Sequence, residues 1–167
     1  MRTETRADDG RLYPRHPRVG VGVVAVRAGR ILLIRRGRPP RAGEWSIPGG
    51  LQRLGETVEA AARREMREET GLELGPLELV AVVDLIERDE RGRIRRHYTL
   101  VDFAGRVTGG VARAASDAAE LRWVRPAEVP RLVSWARTRE VIEAAWRRLH
   151  PEADPDDAGP ATGGPRT

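Results

Sequence analysis

The stretch Gly50-Leu51-Gln52-Arg53-Leu54-Gly55-Glu56-Thr57-Val58-Glu59-Ala60-Ala61-Ala62-Arg63-Arg64-Glu65-Met66-Arg67-Glu68-Glu69-Thr70-Gly71-Leu72 decides the reading of this chain. Residues 57–70 contain neither Pro nor Gly and are dominated by Ala, Arg, Glu and Met, which predicts a helix. Thr57 is its N-cap, Glu59 lies near its positive end, and Gly71 stops it as the C′ residue. On a wheel of about 100° per residue, Val58, Ala61 and Ala62 share the face that packs inward. The next positions on that face are 65 and 69, with 66 and 68 at its margins. Glu65, Glu69 and Glu68 therefore stand where an ordinary amphipathic helix carries Leu or Ile, while Arg63 and Arg67 take the outer side.

Carboxylates at this spacing repel one another by about 0.2 to 0.5 kcal/mol per pair even on an exposed helix. Turned toward the protein body they cost more unless something compensates. A hard divalent cation, Mg²⁺ or Mn²⁺, would compensate them, with water and phosphate oxygens filling its remaining positions. A solvated helix held by Glu59–Arg63 and Arg64–Glu68 pairs is the other reading of the wheel. The preceding loop favours the first. Pro48-Gly49-Gly50 lets another group approach the backbone closely, and Glu56 lies between that loop and the helix. Glycines beside a carboxylate cluster, with Arg nearby, suit phosphoryl chemistry.

Working outward, residues 19–26 and 31–34 are β-rich runs around an Ala28-Gly29 turn, a predicted hairpin of buried strands. A polar loop spans residues 37–43. Beyond the helix, residues 77–87 and 94–103 read as strands joined by Asp89-Glu90-Arg91-Gly92, then a loop over 105–119 and a short strand over 121–124. Residues 126–129 read as one helical turn and 134–149 as a terminal helix, with Trp135, Val141, Ile142, Ala145, Trp146 and Leu149 for packing. Interleaved strands and helices predict an α/β fold, a mixed sheet covered by helices. Residues 18–150 are expected to form one domain, and the polar, Pro-containing segments 1–17 and 151–167 to be mobile tails.

Among 167 residues, 40% are hydrophobic and 33% charged, as in ordinary globular proteins. The net charge is +5 and every basic residue is Arg. That excess suits an anionic substrate such as a phosphate ester, and equally nucleic acid. The absence of Cys excludes disulfides, thiolate chemistry and Cys-based zinc sites. Met1 to Gly10 lacks the apolar run of a signal peptide, and no later run reaches the roughly 18 apolar residues of a membrane span, so a cytoplasmic location without membrane contact is expected.

Residues 50–72 resemble the signature of the Nudix hydrolases, G-x5-E-x7-R-E-U-x-E-E-x-G-U with U an aliphatic residue. All nine specified positions match, from Gly50 through Glu56, Arg64, Glu65, Met66, Glu68 and Glu69 to Gly71 and Leu72. The resemblance implies an α/β/α sandwich. It implies that Glu65, Glu68 and Glu69 bind metal, with the Gly49 carbonyl a further ligand. It implies that Arg64 orients Glu65, the base in some members, and that Glu56 braces loop and helix. Members often recruit one more acid from outside the signature, for which Asp117 and Glu120 are candidates, with Glu120 taken as the metal ligand. Arg35 resembles a substrate-contacting residue, and Gly49 and Gly50 line the substrate. Arg95, Arg96, Tyr98 and Trp45 are weaker candidates.

Residues 84–103 and 44–50 resemble the small bacterial ADP-ribose pyrophosphatase group. The implied reaction is Mg²⁺-dependent cleavage of ADP-ribose to AMP and ribose 5-phosphate, the partner being a small nucleotide-like diphosphate. Two alternatives accompany it: pyrophosphohydrolysis of ordinary or oxidised nucleoside triphosphates, and a non-catalytic regulator that binds nucleotide or nucleic acid. The intact Glu65, Glu68 and Glu69 set argues against the regulator. A homodimer is a further expectation from similar pyrophosphatases.

Overall fold

Alternate side chains of a strand face opposite sides of its sheet, and in β1 (Arg18–Arg27) both sides are covered. In the computed structural model, which describes residues 11–39 and 41–150, Val21, Val23 and Ala25 pack with Ala61, Ala62 and Met66 of helix α1 (Val58–Thr70). Val24 and Val26 pack on the other side with Val141, Ile142 and Ala145 of the final helix, α3 (Ala136–Leu149). That double burial explains why β1 reads as a nearly unbroken apolar run.

β1 pairs antiparallel with β2 (Arg30–Arg36) only beside their turn, through Val26↔Ile31 and Arg27↔Arg30. The strands then diverge. β2 continues against β3 (Trp45–Ser46) and β7 (Ala118–Val124), whereas β1 takes β4 (Gly49–Leu51) on one edge and β6 (Ile94–Gly110) in parallel on the other. β5 (Leu72–Arg88) closes the order β3-β2-β1-β6-β5. A 3-10 turn (Pro126–Glu128) and the short α2 (Val129–Leu132) lead to α3. The sheet is mixed and has helices on both faces, as the sequence predicts.

α1 begins and ends where its caps require. The Thr57 hydroxyl accepts a hydrogen bond from the Ala60 N–H at 3.1 Å, and Gly71, at φ 70°, donates its N–H to the Arg67 carbonyl at 3.0 Å.

Two expected strand bounds need correction. Residues 105–110 are strand rather than loop: a Cβ on Gly105 would lie 2.6 Å from Leu77 Cδ2, so this glycine admits a packed neighbour and marks no turn. β5 likewise starts at Leu72, absorbing Gly75-Pro76 through register shifts between Leu74 and Leu77. β3 and β4 are too short to show a period in sequence. Residues 11–17, within the expected N-terminal tail, touch the β5–β6 hairpin: the Tyr13 N–H donates to the Arg95 carbonyl at 2.9 Å and its hydroxyl to Asp89 at 3.2 Å. Residues 1–10 and 151–167 of the expected tails lie outside the described residues. Among the described residues, no helix is long and apolar enough to cross a membrane.

Candidate active site

Where β1 and β2 part, a cavity of about 680 Å³ opens on the α3 side of the sheet. Gly20 and Gly22 form part of its lining and contribute no side chains. Side chains there would collide with the neighbouring strand, since a Cβ on Gly22 would lie 2.2 Å from Asp102 Oδ1 and one on Gly20 2.8 Å from Leu100 Cδ2.

α1 packs on the opposite face, yet Glu65 and Glu69 reach the cavity beside β4. The two glycines make this possible. A Cβ on Gly50 would sit 2.3 Å from Glu65 Oε1, and the Gly49 N–H donates to Glu69 Oε2 at 2.9 Å. Glu69 is 3% exposed. Burial pushes its pKa up to about 7, and the charges of Glu65 and Asp117 add to the rise, while the Gly49 hydrogen bond and Arg36 oppose it. Asp117, from the segment before β7, lines the same corner and pairs with Arg38 at 3.2 Å.

Arg64 organises the signature from below. Its Nε and Nη2 bond the two oxygens of Glu56 at 2.8 and 3.0 Å, its Nη1 lies 2.6 Å from Glu65 Oε1, and Nη2 also donates to the Leu51 carbonyl at 2.9 Å. Five N–H donors in one plane suit such a hub. The Arg64 hydrogen bonds, with that of the Arg53 N–H, hold the Glu56 carboxyl down at about 2.

The remaining expected residues divide. Glu68 lies outside the cavity lining, its carboxylate held by Arg53 at 3.2 Å and by Arg64 at 3.2 Å. Among the described residues no three His, Cys, Asp or Glu side chains form a ready cation cage. Arg35 and Glu120 face each other across β2 and β7 at 3.6 Å, and neither lines the cavity. The register shifts between Arg35 and Arg36, and strand alternation turns Arg36 inward instead. Arg36 and Asp117 line the cavity, whereas Arg35 and Glu120 do not. Arg96, Tyr98 and Trp45 do line the cavity, with Arg96 paired to Glu87 at 2.6 Å.

Sequence reading missed Trp135 and Thr138 as lining groups, and also Asp102, which is 7% exposed with its carboxyl pushed up to about 6 by burial. A signal for Asp102 existed: it is one acid inside the strand run Leu100-Val101-Asp102-Phe103-Ala104.

The acidic corner fits a hard cation in donor type. Its carboxylates are oxygen donors, and the charges of Glu65 and Asp117 add to the rise that burial gives Glu69, a smaller contribution that a divalent ion would relieve.

Residues 16–148 match the NUDIX domain. An ADP-ribose pyrophosphatase of Methanocaldococcus jannaschii is 38% identical over 122 residues, which cover 73% of this chain and 69% of that protein. A putative 8-oxo-dGTP diphosphatase 2 of Mycobacterium tuberculosis is 40% identical over 105 residues, 62% of this chain and 70% of that protein. Among solved structures, the MutT Nudix hydrolase of Burkholderia pseudomallei superposes with a TM-score of 0.66 at 36% identity, covering 77% of this chain and 98% of that one. With the signature, the sandwich and these similarities in agreement, the chain belongs to the Nudix family and is a Nudix hydrolase.

Proposed function

We propose that this enzyme hydrolyses the diphosphate bridge of a nucleoside diphosphate derivative, with ADP-ribose yielding AMP and ribose 5-phosphate. The observation that carries the reading is the continuity between the acidic corner at Glu65, Glu69 and Asp117 and a cavity large enough for a nucleotide. The similarity to an ADP-ribose pyrophosphatase supports the substrate.

Glu65 and Glu69 would hold a divalent cation, Mg²⁺ or Mn²⁺, with Glu68 and the Gly49 carbonyl as further oxygen donors. When bound, that ion neutralises phosphoryl charge and lowers the pKa of a coordinated water. Glu65, fixed by Arg64, accepts the proton of the attacking water. The water oxygen bonds to one phosphorus, the P–O bond to the bridging oxygen breaks, and its electron pair leaves with the second phosphate. Arg36, Arg38 and Arg41 line the cavity and supply donors for phosphate oxygens. Gly49 and Gly50 allow the diphosphate to approach the backbone.

The similarity to a putative 8-oxo-dGTP diphosphatase favours a second substrate class, nucleoside triphosphates. A coupled assay separates these readings. Phosphate release through an added phosphatase is measured on ADP-ribose, other nucleoside diphosphate sugars, dinucleotides and triphosphates, with Mg²⁺, with Mn²⁺ and with EDTA. Metal-dependent preference for ADP-ribose is the expected result. Preference for a triphosphate moves the substrate, and no turnover on any compound overturns the enzymatic reading in favour of a nucleotide-binding regulator.

The same reading includes a pair of chains. β5 is an edge strand on which Leu79, Val82 and Ile86 are exposed, and such an edge favours a second copy over solvent. Light scattering should give twice the chain mass, and a monomer at micromolar concentration removes this part.

A further inference from the structure

We propose that Asp102 reads the base of the substrate, accepting a hydrogen bond from the exocyclic amino group of an aminopurine lodged in the deep part of the cavity. This rests on the reading of the cavity as a nucleotide site.

The placement follows from the sheet register. Gly22 of β1 has Gly49 on one side and Asp102 on the other, in one row across three strands. Gly49 belongs to the acidic corner, so Asp102 stands two strand spacings from it, roughly 10 Å. A nucleotide with its phosphates at the corner therefore extends its base along the row toward Asp102.

The surroundings suit a flat heterocycle. Val83 and Leu100 line the cavity from the sheet, Trp45 and Ile47 from β3 and the residue following it, and Trp135 from the start of α3. Apolar and aromatic walls with few polar groups are what base stacking requires. Asp102 is one of the acids of a cavity also lined by Glu44, Glu65, Glu69, Glu87 and Asp117. It adjoins these walls as a neighbour of Leu100 and Gly22 on the sheet. Among the described residues no hydrogen-bond donor or ion-pair partner accounts for its state; burial is the sole cause of its raised pKa. Among the described residues no fully buried side-chain oxygen lacks a partner, so the Asp102 carboxyl oxygens open onto the cavity, where an entering amino N–H supplies a donor. Gly22 has no side chain, which leaves room for the carboxyl. Thr138, 5% exposed, faces the cavity from α3 and adds a second polar group.

Nucleoside monophosphates test this without turnover. Quenching of tryptophan fluorescence, with Trp45 and Trp135 in the cavity lining, is titrated in EDTA with two matched pairs. AMP is compared with purine riboside 5′-monophosphate, which lacks the 6-amino group, and GMP with IMP, which lacks the 2-amino group. The wild type should favour the amino-bearing member of one pair by roughly 10-fold or more. Asp102→Leu, of similar shape but without an acceptor, should abolish the difference, and Asp102→Asn, which keeps a carbonyl oxygen, should retain most of it. Asp102→Ala serves if melting shows that the leucine variant does not fold. Equal binding within both pairs, or discrimination that survives Asp102→Leu or Asp102→Ala, overturns the proposal. Because the titration needs neither metal nor hydrolysis, it is decided independently of whether ADP-ribose is cleaved.

Discussion

Arg64 grips Glu56 through two parallel hydrogen bonds, 2.8 Å from Nε to Oε1 and 3.0 Å from Nη2 to Oε2. This fork anchors the guanidinium so that its third nitrogen meets Glu65 at 2.6 Å. A lysine at 64 has one ammonium and cannot serve both acids in that geometry. Arg64→Lys should lower kcat by about 100-fold, the scale expected of an ångström-sized misplacement, with KM less affected. Steady-state kinetics on the best substrate of the panel checks this, and an unchanged kcat would remove Arg64 from the positioning of Glu65.

Gly50→Ala tests the approach of α1 to β4. The added Cβ would meet Glu65 Oε1 at 2.3 Å and its Cδ at 2.4 Å, so the carboxylate must move. Turnover should fall by about 100-fold while the thermal midpoint shifts by only a few degrees.

Burial of Glu69 predicts how stability depends on pH. Its folded pKa is raised from 4.5 to about 7, and that of Asp102 from 3.8 to about 6, so both bind protons more tightly folded than unfolded. Their contribution is fully present below the unfolded values and is lost as pH rises toward 6 and 7. In EDTA, stability should therefore decline across that window, by at most about 3 kcal/mol from Glu69. Glu69→Gln should flatten the decline, and millimolar Mg²⁺ should offset it. Thermal melts at half-unit pH steps read both effects. Glu56 acts oppositely, since its contribution is present above about 4.5 and lost as pH falls through about 2.

Glu68 is held by Arg53 and Arg64 and lies outside the cavity lining. If it turns inward to the metal during the reaction, Glu68→Gln should cut turnover by at least about 100-fold. The exposed ion pairs it gives up are worth at most about 1 kcal/mol of stability. Unchanged turnover would take Glu68 off the list of metal ligands.

Gly71 has a structural role that can be separated from catalysis. It adopts φ 70°, and a Cβ there would lie 2.6 Å from the Val111 carbonyl oxygen. Gly71→Ala should destabilise by roughly 2 kcal/mol or more in urea titrations, leaving KM of the surviving folded enzyme nearly unchanged.

The parts of this protein that the amino-acid sequence determined are those governed by local periodicity. Helix α1, its caps at Thr57 and Gly71, and the acidic positions 65, 68 and 69 follow from spacing along a single element, and the signature matches on the same residues. Tertiary structure decided what depends on pairing between distant segments. Arg36 faces the cavity with Ile34 by the alternation of β2, and the register shift that places an extra residue, Ala119, in β7 bears on why Asp117 rather than Glu120 reaches the corner. Gly105 to Gly110 read as a loop until β5 is laid beside them. Asp102 looks like one charge in an apolar strand until Gly22 and Gly49 join its row. A helix sets its faces by its own 3.6-residue turn, whereas a strand's inward face is chosen by its neighbours, and a one-residue slip reverses it.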